Sequence, residues 1–299
     1  MITSSTNDTY LIVSDIHADI KALNTIIEII SDPEFVKRYG RVNTIINLGD
    51  TVGRGCHPVE VIERLAKLKE ETNLISIMGN HDESFLYDWP VSGDDTESSR
   101  AHEEFKRAAA GGSKHMKFCL NFLQDFLPLY VDREHRILAV HGGPLNPEKI
   151  APPGLEDYDT WLYQRTWQRI SEYGYEYQDD SGYHYIPRNA FIQARNFWDR
   201  GFIIFCGHQH TGAIYRNMDD TIERMSDEHM EIRRETYAGY AVQERNFDRE
   251  KDLNYLIRVG IAGPEGYYKR YRWNKSHFAI LWKDNGVEKV GLFETQLEY

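Results

Sequence analysis

The sequence predicts an α/β protein, and three observations point to that class. Short apolar runs rich in β-branched residues alternate with segments of helical periodicity through the first third of the chain. Each apolar run is uninterrupted, as expected for strands that are buried on both faces of a sheet. Each run also ends in polar residues, and ligands of such sheets bind at the carboxyl ends of the strands. We therefore expect parallel strands, helices on the faces of the sheet and one shared crevice.

The first five elements follow the order strand, helix, strand, helix, strand. Their predicted ranges are Tyr10–Ser14, Ile20–Ile30, Thr44–Leu48, Val59–Leu68 and Leu74–Met78. This spacing is typical of a βαβαβ unit, in which the three strands lie parallel in one sheet. A further helical stretch is predicted around Ala101–Phe126.

A second series of strands follows this helical stretch. The predicted ranges are Arg136–Val140, Phe202–Cys206, Tyr255–Val259, Phe278–Trp282 and Val287–Leu292. The last two runs are separated by Asp284, Asn285 and Gly286, which together are a strong signal for a hairpin turn. The chain is therefore expected to close with an antiparallel pair.

Two segments interrupt the alternation of strands and helices. The segment from about residue 151 to 200 is rich in Trp and Tyr, and the segment from about residue 212 to 254 is dense in charges of both signs. Neither segment carries enough aliphatic residues for a core of its own. We expect residues 1–299 to form a single domain in which these two segments are insertions that cover or flank the crevice.

The charge of the chain excludes several classes of partner. There are 35 Lys and Arg against 47 Asp and Glu, which gives a formal net charge of −12. Extended nucleic acids and anionic membranes bind through basic residues, so neither is an expected partner. No apolar run is long enough to span a membrane, and no signal-peptide pattern precedes the first strand. The three cysteines form no disulfide or zinc motif, and we expect a reducing, cytoplasmic location.

The polar residues at five strand ends could bind metal ions. They combine carboxylate and amide oxygens with imidazole nitrogens and include no thiolate: Asp15, His17, Asp50, Asn80, His141, His208 and His210. Such a set suits divalent Mn, Fe, Zn, Ni or Co. A single Asp-x-His or His-x-His means little, because alternate residues at a strand end share a face for structural reasons. All five strand ends together predict a metal site in the crevice.

Five short motifs in this region resemble those of the calcineurin-like metallophosphoesterases. They occur in the order and spacing of that family: Asp15-x-His17, Gly49-Asp50-x-x-x-Arg54-Gly55, Gly79-Asn80-His81-Asp82, His141-Gly142-Gly143 and Gly207-His208-x-His210. The resemblance covers most of the chain apart from the two insertions, and it includes the bacterial and archaeal phosphodiesterase branch. It implies a four-layer α/β/β/α sandwich of two mixed sheets.

The resemblance also implies two divalent metal ions, with Mn²⁺ as the first expectation and Fe, Zn, Ni or Co as alternatives. It divides the ligands into two sets bridged by Asp50: Asp15, His17 and His210 for one ion, and Asn80, His141 and His208 for the other. Two such ions lower the pKa of a bridging water, so that metal-bound hydroxide attacks the phosphorus near neutral pH. The metals bring the positive charge, so an acidic chain can still bind phosphate.

Catalytic and substrate-binding roles follow from the same resemblance. His81 faces the leaving group, where it donates a proton or stabilises the departing oxygen. Asp82 is a candidate to orient the His81 ring. Arg54 binds the phosphate together with Asn80 and His81, since its planar guanidinium matches the phosphate oxygens.

Three departures from the family leave the substrate open. The serine/threonine protein phosphatases have Asp and Arg where this chain has Gly53 and Met78, so an arginine for phosphoproteins is missing. The phosphodiesterase branch usually has an aromatic residue at the position of Arg54. Arg54 and the His141-Gly142-Gly143 run instead resemble the protein phosphatases and the diadenosine polyphosphate hydrolases.

The aromatic-rich insertion is the third departure, and it has two interpretations. Its rings could stack a nucleobase while nearby arginines grip a second phosphate, namely Arg165, Arg169, Arg188 and Arg195. Alternatively the rings bury the insertion against the core, as amphipathic aromatic residues commonly do. We favour burial, with one or two rings lining the pocket.

We therefore expect a metal-dependent hydrolase of phosphate mono- or diesters, acting on a small phosphorylated metabolite or nucleotide. A serine/threonine-type protein phosphatase is the first alternative. A catalytically silent metal-binding module is the second, and it is disfavoured because Asp50, Asn80 and His81 are all present. A nuclease of the same fold is disfavoured by the negative charge. The sequence indicates no oligomeric state.

Overall fold

The computed structural model describes residues 8–89, 91, 93, 95–154, 161–218 and 221–299, without the side chains of Trp161, Lys269 and Arg270. Residues 155–160 of the aromatic-rich segment and residues 219–220 of the charged segment therefore lie outside the described residues. Within them, the strands in chain order are β1 (Tyr10–Val13), β2 (Thr44–Asn47), β3 (Asn73–Ser76), β4 (Tyr130–Asp132), β5 (Ile137–Ala139), β6 (Arg169–Ile170), β7 (Tyr177–Asp179), β8 (Gly182–Tyr185), β9 (Ile203–Cys206), β10 (Ala213–Met218), β11 (Thr221–Arg224), β12 (Glu231–Tyr237), β13 (Tyr240–Asp248), β14 (Asn254–Arg258), β15 (Lys275–Asp284) and β16 (Val287–Gln296).

The helices of the described chain lie mainly between the parallel strands. They are α1 (Ile20–Ser31), α2 (Pro33–Tyr39), α3 (Pro58–Glu71), α4 (Asn80–Tyr87), α5 (Thr96–Ala110), α6 (Lys114–Gln124), α7 (Pro147–Ile150), α8 (Pro187–Ala194) and α9 (Glu265–Tyr271). None of these helices is long and apolar enough to cross a membrane.

Two mixed sheets form the centre of the molecule. The first has the strand order β12-β13-β16-β15-β1-β2-β3, in which β1, β2 and β3 are parallel and β15 is antiparallel to β1. The second has the order β11-β10-β14-β9-β5-β4, with β5, β9 and β14 parallel. In register, Ile12 of β1 lies opposite Ile46 of β2 and Ala279 of β15. The predicted βαβαβ unit and the closing antiparallel pair are confirmed.

Successive side chains of a strand point to opposite faces of the sheet, and this alternation explains how the layers pack. On β1, Leu11 and Val13 pack against the helices on the outer face of the first sheet, whereas Tyr10 and Ile12 pack against the second sheet. On the opposite side, α8 covers the outer face of the second sheet, where Phe191 belongs to a third apolar cluster. The order of layers is helices, sheet, sheet, helix, which confirms the predicted α/β/β/α sandwich.

The helical stretch predicted around Ala101–Phe126 is divided into α5 and α6. The division lies at Gly111 and Gly112, and Gly112 has a φ of 96°, which a helix cannot accommodate. Ser113 then begins α6, because its Oγ accepts a hydrogen bond from the backbone N–H of Met116. The helical pattern therefore continues in sequence across a point where the chain turns.

The charged segment of about 212–254 adds strands to the edges of both sheets. β10 and β11 extend the second sheet, and β12 and β13 extend the first. Along β13 the residues Val242, Glu244 and Asn246 are buried. The buried Glu244 carboxylate accepts hydrogen bonds from the hydroxyls of Tyr39 and Tyr237, so polar residues occupy inward positions that a hydrophobic pattern would not reveal.

The aromatic-rich segment contains a small third sheet with the order β6-β8-β7. Its rings divide into two groups. Trp167 and Tyr185 are buried, whereas Tyr173 and Tyr175 are 70% and 62% exposed. Among the rings that the structure describes here, the Trp167 indole lies 6.0 Å from the His208 ring, at the edge of the crevice.

Candidate metal centre

The carboxyl ends of the parallel strands of both sheets meet at one edge of the sandwich. Backbone hydrogen bonds tie the loops there to one another: the N–H of Asp15 donates to Gly49 O at 2.9 Å, and the N–H of His17 donates to Asp50 O at 2.8 Å. Across the two sheets, Ala262 N–H donates to Ser14 O at 2.9 Å. The loops that carry the predicted ligands are therefore fixed together before any metal is considered.

Asp15, His17, Asp50 and His210 form the first group that could hold a metal ion. They offer ligand atoms within 4.8 Å of one another. The Nε2 atoms of His17 and His210 are 3.2 Å apart, and Nε2 of His210 is 3.3 Å from Oδ1 of Asp15. Burial lowers the pKa of His17 well below its usual value.

Asp50, His141 and His208 form the second group. Nε2 of His141 lies 3.3 Å from Oδ1 of Asp50 and 3.1 Å from Oδ1 of Asn80. The other ring nitrogen of His141, Nδ1, donates to Leu48 O at 2.8 Å, which directs Nε2 into the group. The structure therefore brings Asn80 to this second group, as the motifs predict.

Asp50 is shared by both groups. Its Oδ1 faces His141, and its Oδ2 lies 3.8 Å from Nε2 of His17. Burial tends to raise the pKa of Asp50, but the neighbouring His141 and His81 hold it well below its usual range. Burial tends to lower the pKa of His141, and Asp50 raises it to about 9. The Asp50 carboxylate thus favours positive charge on either side of it.

Backbone strain is concentrated at these residues. Five of the seven predicted ligands have φ values between 49° and 66°, in the left-handed region: Asp15, His17, Asp50, His208 and His210. This conformation costs about 1 kcal/mol or more for each residue that is not glycine. Such a cluster is typical of functional sites, where the surrounding hydrogen bonds hold a geometry that the chain would not adopt alone.

Two glycines explain why the motifs place Gly before a ligand. A Cβ on Gly79 would lie 2.2 Å from Oδ1 of Asp50, and a Cβ on Gly207 would lie 2.7 Å from Oδ2 of Asp15. Any side chain at either position would push a carboxylate out of place. Glycine is therefore required by close approach of the backbone to the ligand groups.

The residues fit bound cations. Oδ1 of Asp15, Nδ1 of His17 and Nε2 of His208 are buried and have no hydrogen-bond partner among the described residues. Burying polar atoms without partners costs about 1–3 kcal/mol each, and a cation would satisfy those of them that face the groups. The oxygen and imidazole donors suit divalent transition metals.

His81 and Asp82 lie beside the two groups at the start of α4. The N–H of His81 donates to Oδ1 of Asp50 at 2.8 Å, and its ring is 4.8 Å from that of His17. The Asp82 carboxylate accepts backbone hydrogen bonds from Thr51, Val52 and Gly79. Burial and the charge of Asp50 raise the pKa of Asp82 to about 7. Asp82 thus braces the Asp50 loop, and its orientation of the His81 ring stays a prediction.

Arg54 lies above the ring of Tyr267, a residue that the motifs do not identify. The guanidinium carbon is 4.8 Å from the ring centroid, and the Tyr267 hydroxyl is 3.0 Å from Nδ1 of His210. In the tautomer that leaves Nε2 of His210 free for a metal, Nδ1–H donates to the Tyr267 oxygen. The signal that could have identified this loop is its glycines, since a Cβ on Gly266 would lie 2.7 Å from Cβ of Arg54.

Arg169 of the aromatic-rich segment is a second cation near the crevice, because the backbone of the next residue, Ile170, is hydrogen-bonded to the side chain of Gln209, which lies between His208 and His210 in the chain. Burial lowers its pKa, while the carboxylates of Asp179, Asp15 and Asp50 act in the opposite direction. Its Nε donates to Ser181 O at 2.7 Å, and this is the one hydrogen bond of the guanidinium within the described part of the chain.

Comparison with known proteins assigns a family to this arrangement. Residues 9–288 match the family model of the calcineurin-like phosphoesterases. An uncharacterized protein of Methanocaldococcus jannaschii is 30% identical over 142 residues, which are 46% of this chain and 50% of the relative. The match therefore spans about half the length of that curated relative.

Solved structures share the fold. A metallophosphoesterase from Sphaerobacter thermophilus aligns with 97% of this chain and 89% of its own, with a TM-score of 0.54 and 20% identity. A hypothetical protein of Pyrococcus horikoshii OT3 aligns with 97% of this chain and 88% of its own, with a TM-score of 0.50 and 16% identity. The structural likeness supports the fold, and the family model covers nearly the whole chain. This protein therefore belongs to the calcineurin-like phosphoesterase family.

Proposed function

We propose that this protein hydrolyses phosphate esters of small metabolites or nucleotides with the help of two divalent metal ions. The observation that carries the proposal is the position of Asp50, whose two carboxylate oxygens face two different groups of histidines. In the proposed site, Asp15, His17 and His210 hold one ion, and Asn80, His141 and His208 hold the other. When bound, two such ions polarise the phosphoryl oxygens and lower the pKa of a coordinated water.

Arg54 and Arg169 bind the phosphate in this proposal. Arg54 is held above the Tyr267 ring, and Arg169 approaches from the aromatic-rich segment. A phosphate monoester carries close to two negative charges at neutral pH, against one on a diester. Two guanidinium groups at one crevice therefore favour the monoester, since each is a permanent cation that matches phosphate oxygens in geometry.

His81 acts on the leaving group. Its backbone N–H is fixed to Asp50, and its ring lies between the His17 ring and Gly53, where a Cβ would be 2.3 Å from Nδ1 of His81. This holds the imidazole at the edge of the metal centre, where it can donate a proton to the departing oxygen. Asp82 acts through the backbone that it braces, as a positioning residue.

The test uses para-nitrophenyl phosphate and bis(para-nitrophenyl) phosphate as substrates. We expect EDTA to abolish hydrolysis, added Mn²⁺ to restore it, and the monoester to have the higher kcat/KM. Asp50→Asn should lower kcat by about 1,000-fold or more, since it removes the shared charge. Asp252→Asn is the matched control, because that carboxylate is exposed and pairs with Arg200 on the surface. Full activity after complete metal removal, or an Asp50→Asn variant as fast as the parent, would overturn the proposal.

A further inference from the structure

A cavity of about 380 Å³ opens beside His81. Six of its lining residues carry the argument: His81, Phe85, Asp88, Trp89, Glu103 and Lys106. The cavity adjoins the metal centre, because the His81 ring that forms its wall lies 4.8 Å from the His17 ring. Its volume lies within the range of about 300–1,000 Å³ that is usual for small-molecule sites.

The floor of the cavity is aromatic. Phe85 is buried and stacks on Phe105 with ring centroids 5.2 Å apart. Trp89 is half-buried, and its carbonyl accepts a hydrogen bond from Ser84 Oγ at 2.5 Å, which anchors the residue at the cavity. The Lys106 ammonium lies 4.8 Å from the centroid of the Phe85 ring, so the half-buried Trp89 is the ring that offers apolar surface to a flat group of a ligand.

Among the described lining residues, the rim carries more negative than positive charge. Asp88 and Glu103 supply two carboxylates, and Lys106 supplies one ammonium group, which pairs with Asp88, while Arg107 lies 4.0 Å from Glu103 outside the lining. The cations that could bind phosphate, Arg54 and Arg169, do not line this cavity. A leaving group that carries its own negative charge would therefore meet repulsion here, whereas the phosphate being transferred would not.

We propose that this cavity binds the leaving group of the substrate and selects an uncharged alcohol with an aromatic body, a class that includes nucleosides. The proposal rests on the proposed function, since His81 is the group that meets the departing oxygen. It favours monophosphates of such alcohols. It disfavours substrates in which the departing group is itself a phosphate, because that group would enter the acidic rim.

The test compares two esters whose alcohols differ in the ring and little in acidity, 2-phenylethyl phosphate and ethyl phosphate, with Mn²⁺ present. We expect the parent protein to have a kcat/KM at least 10-fold higher for the phenylethyl ester. Trp89→Ala should reduce this ratio to below about 3-fold. Tyr87→Ala is the matched control: Tyr87 is 57% exposed and its ring lies 5.3 Å from that of Trp89, but it does not line the cavity.

A second comparison tests the charge of the rim. The parent should prefer ethyl phosphate to 2-carboxyethyl phosphate, and Glu103→Gln should narrow that preference by about threefold, a modest factor because the carboxylate is exposed. Equal kcat/KM for the phenylethyl and ethyl esters, or a Trp89→Ala variant with the parental ratio, overturns the cavity proposal and leaves the proposed function standing. Hydrolysis of para-nitrophenyl phosphate but of none of these three esters overturns the cavity proposal alone, and failure to hydrolyse any of the four with Mn²⁺ overturns both.

Discussion

The metal centre and the leaving-group cavity beside His81 adjoin each other but are built differently. The predicted metal ligands are almost all buried, on strained loops that are tied to both sheets. The cavity lies between α4 and α5, and its rim is open to solvent, with side-chain exposures of 83% for Asp88 and 73% for Glu103. A fixed centre suits one reaction, whereas a helical lining can change its side chains without moving that centre. Reaction type and substrate choice are therefore carried by separate parts of the chain.

Gly207→Ala should have the largest effect on the metal centre. A Cβ there would lie 1.7 Å from Ser14 Oγ, so the loop that carries His208 must shift. We expect the free energy of unfolding to fall by about 3 kcal/mol and Mn²⁺ binding to weaken, as urea unfolding and calorimetry would measure. At Gly212 the nearest atom to a Cβ is 3.5 Å away, so Gly212→Ala is the matched control. Equal losses of unfolding free energy in the two variants would contradict the close packing of the loop that carries Gly207.

Tyr267 allows the metal centre and the phosphate site to be separated. Tyr267→Phe removes the hydroxyl beside His210 and keeps the ring below Arg54, so Mn²⁺ affinity should fall by about 10-fold or more while KM is retained. Tyr267→Leu should also raise KM, because the cation–π contact is lost. Calorimetric titration of Mn²⁺ into the metal-free protein measures the first effect, and steady-state kinetics measures the second. A Phe variant with parental Mn²⁺ affinity would show that the hydroxyl does not orient His210.

Arg169→Gln tests whether the aromatic-rich segment reaches the phosphate. The variant should lose about 10-fold in kcat/KM for para-nitrophenyl phosphate, mainly through KM, because one charge-assisted contact is removed. Mn²⁺ affinity should change little. Arg188 belongs to the same segment but is exposed, so Arg188→Gln is the control. Identical kinetics for both variants would place Arg169 outside the site.

The smallest expected effect is a change in the pH dependence of stability, and it concerns Asp132 near the end of β1 opposite the candidate metal centre. Burial tends to raise the pKa of Asp132, but its hydrogen bonds with His135 and Tyr10 lower it to about 2. A carboxylate whose pKa is lowered by folding stabilises the protein at pH values above its ordinary pKa near 4. This stabilisation is lost as the pH falls from about 4 to about 2. The hydrogen bond with Asp132 raises the pKa of His135, so the contribution of the imidazolium is complete below about 6.5 and is lost as pH rises through the raised pKa.

Thermal unfolding between pH 2 and pH 8, with and without EDTA, measures this contribution. The slope between pH 4 and pH 2 should be smaller in Asp132→Asn than in the parent, and EDTA should leave that difference unchanged. A difference that disappears when the metals are removed would mean that the two ends of β1 are coupled.

The sequence predicts the clustering of the carboxylates and histidines better than it predicts their surroundings, for a physical reason. Asp15, His17, Asp50 and the other histidines of the cluster follow buried strands at fixed spacing. The pattern of strands and the short motifs are therefore enough to predict that they lie together. The contacts of Tyr267 and Arg169 join residues far apart in the chain, and only the folded loops bring them together. The sequence does not predict the strands of the charged segment, because Glu244 and Asn246 are buried polar residues that obscure the alternation of polar and apolar side chains. Local pattern predicts local structure, whereas substrate contacts depend on tertiary packing.

A crystal structure of the Mn²⁺-soaked protein with anomalous scattering data tests the central claim most directly. We predict two anomalous peaks, one on each side of the Asp50 carboxylate, with His17 and His210 at one peak and His141 and His208 at the other. The Asp50→Asn variant should lose at least one of the two peaks. A single peak, or two peaks that do not share Asp50, would contradict the two-metal account.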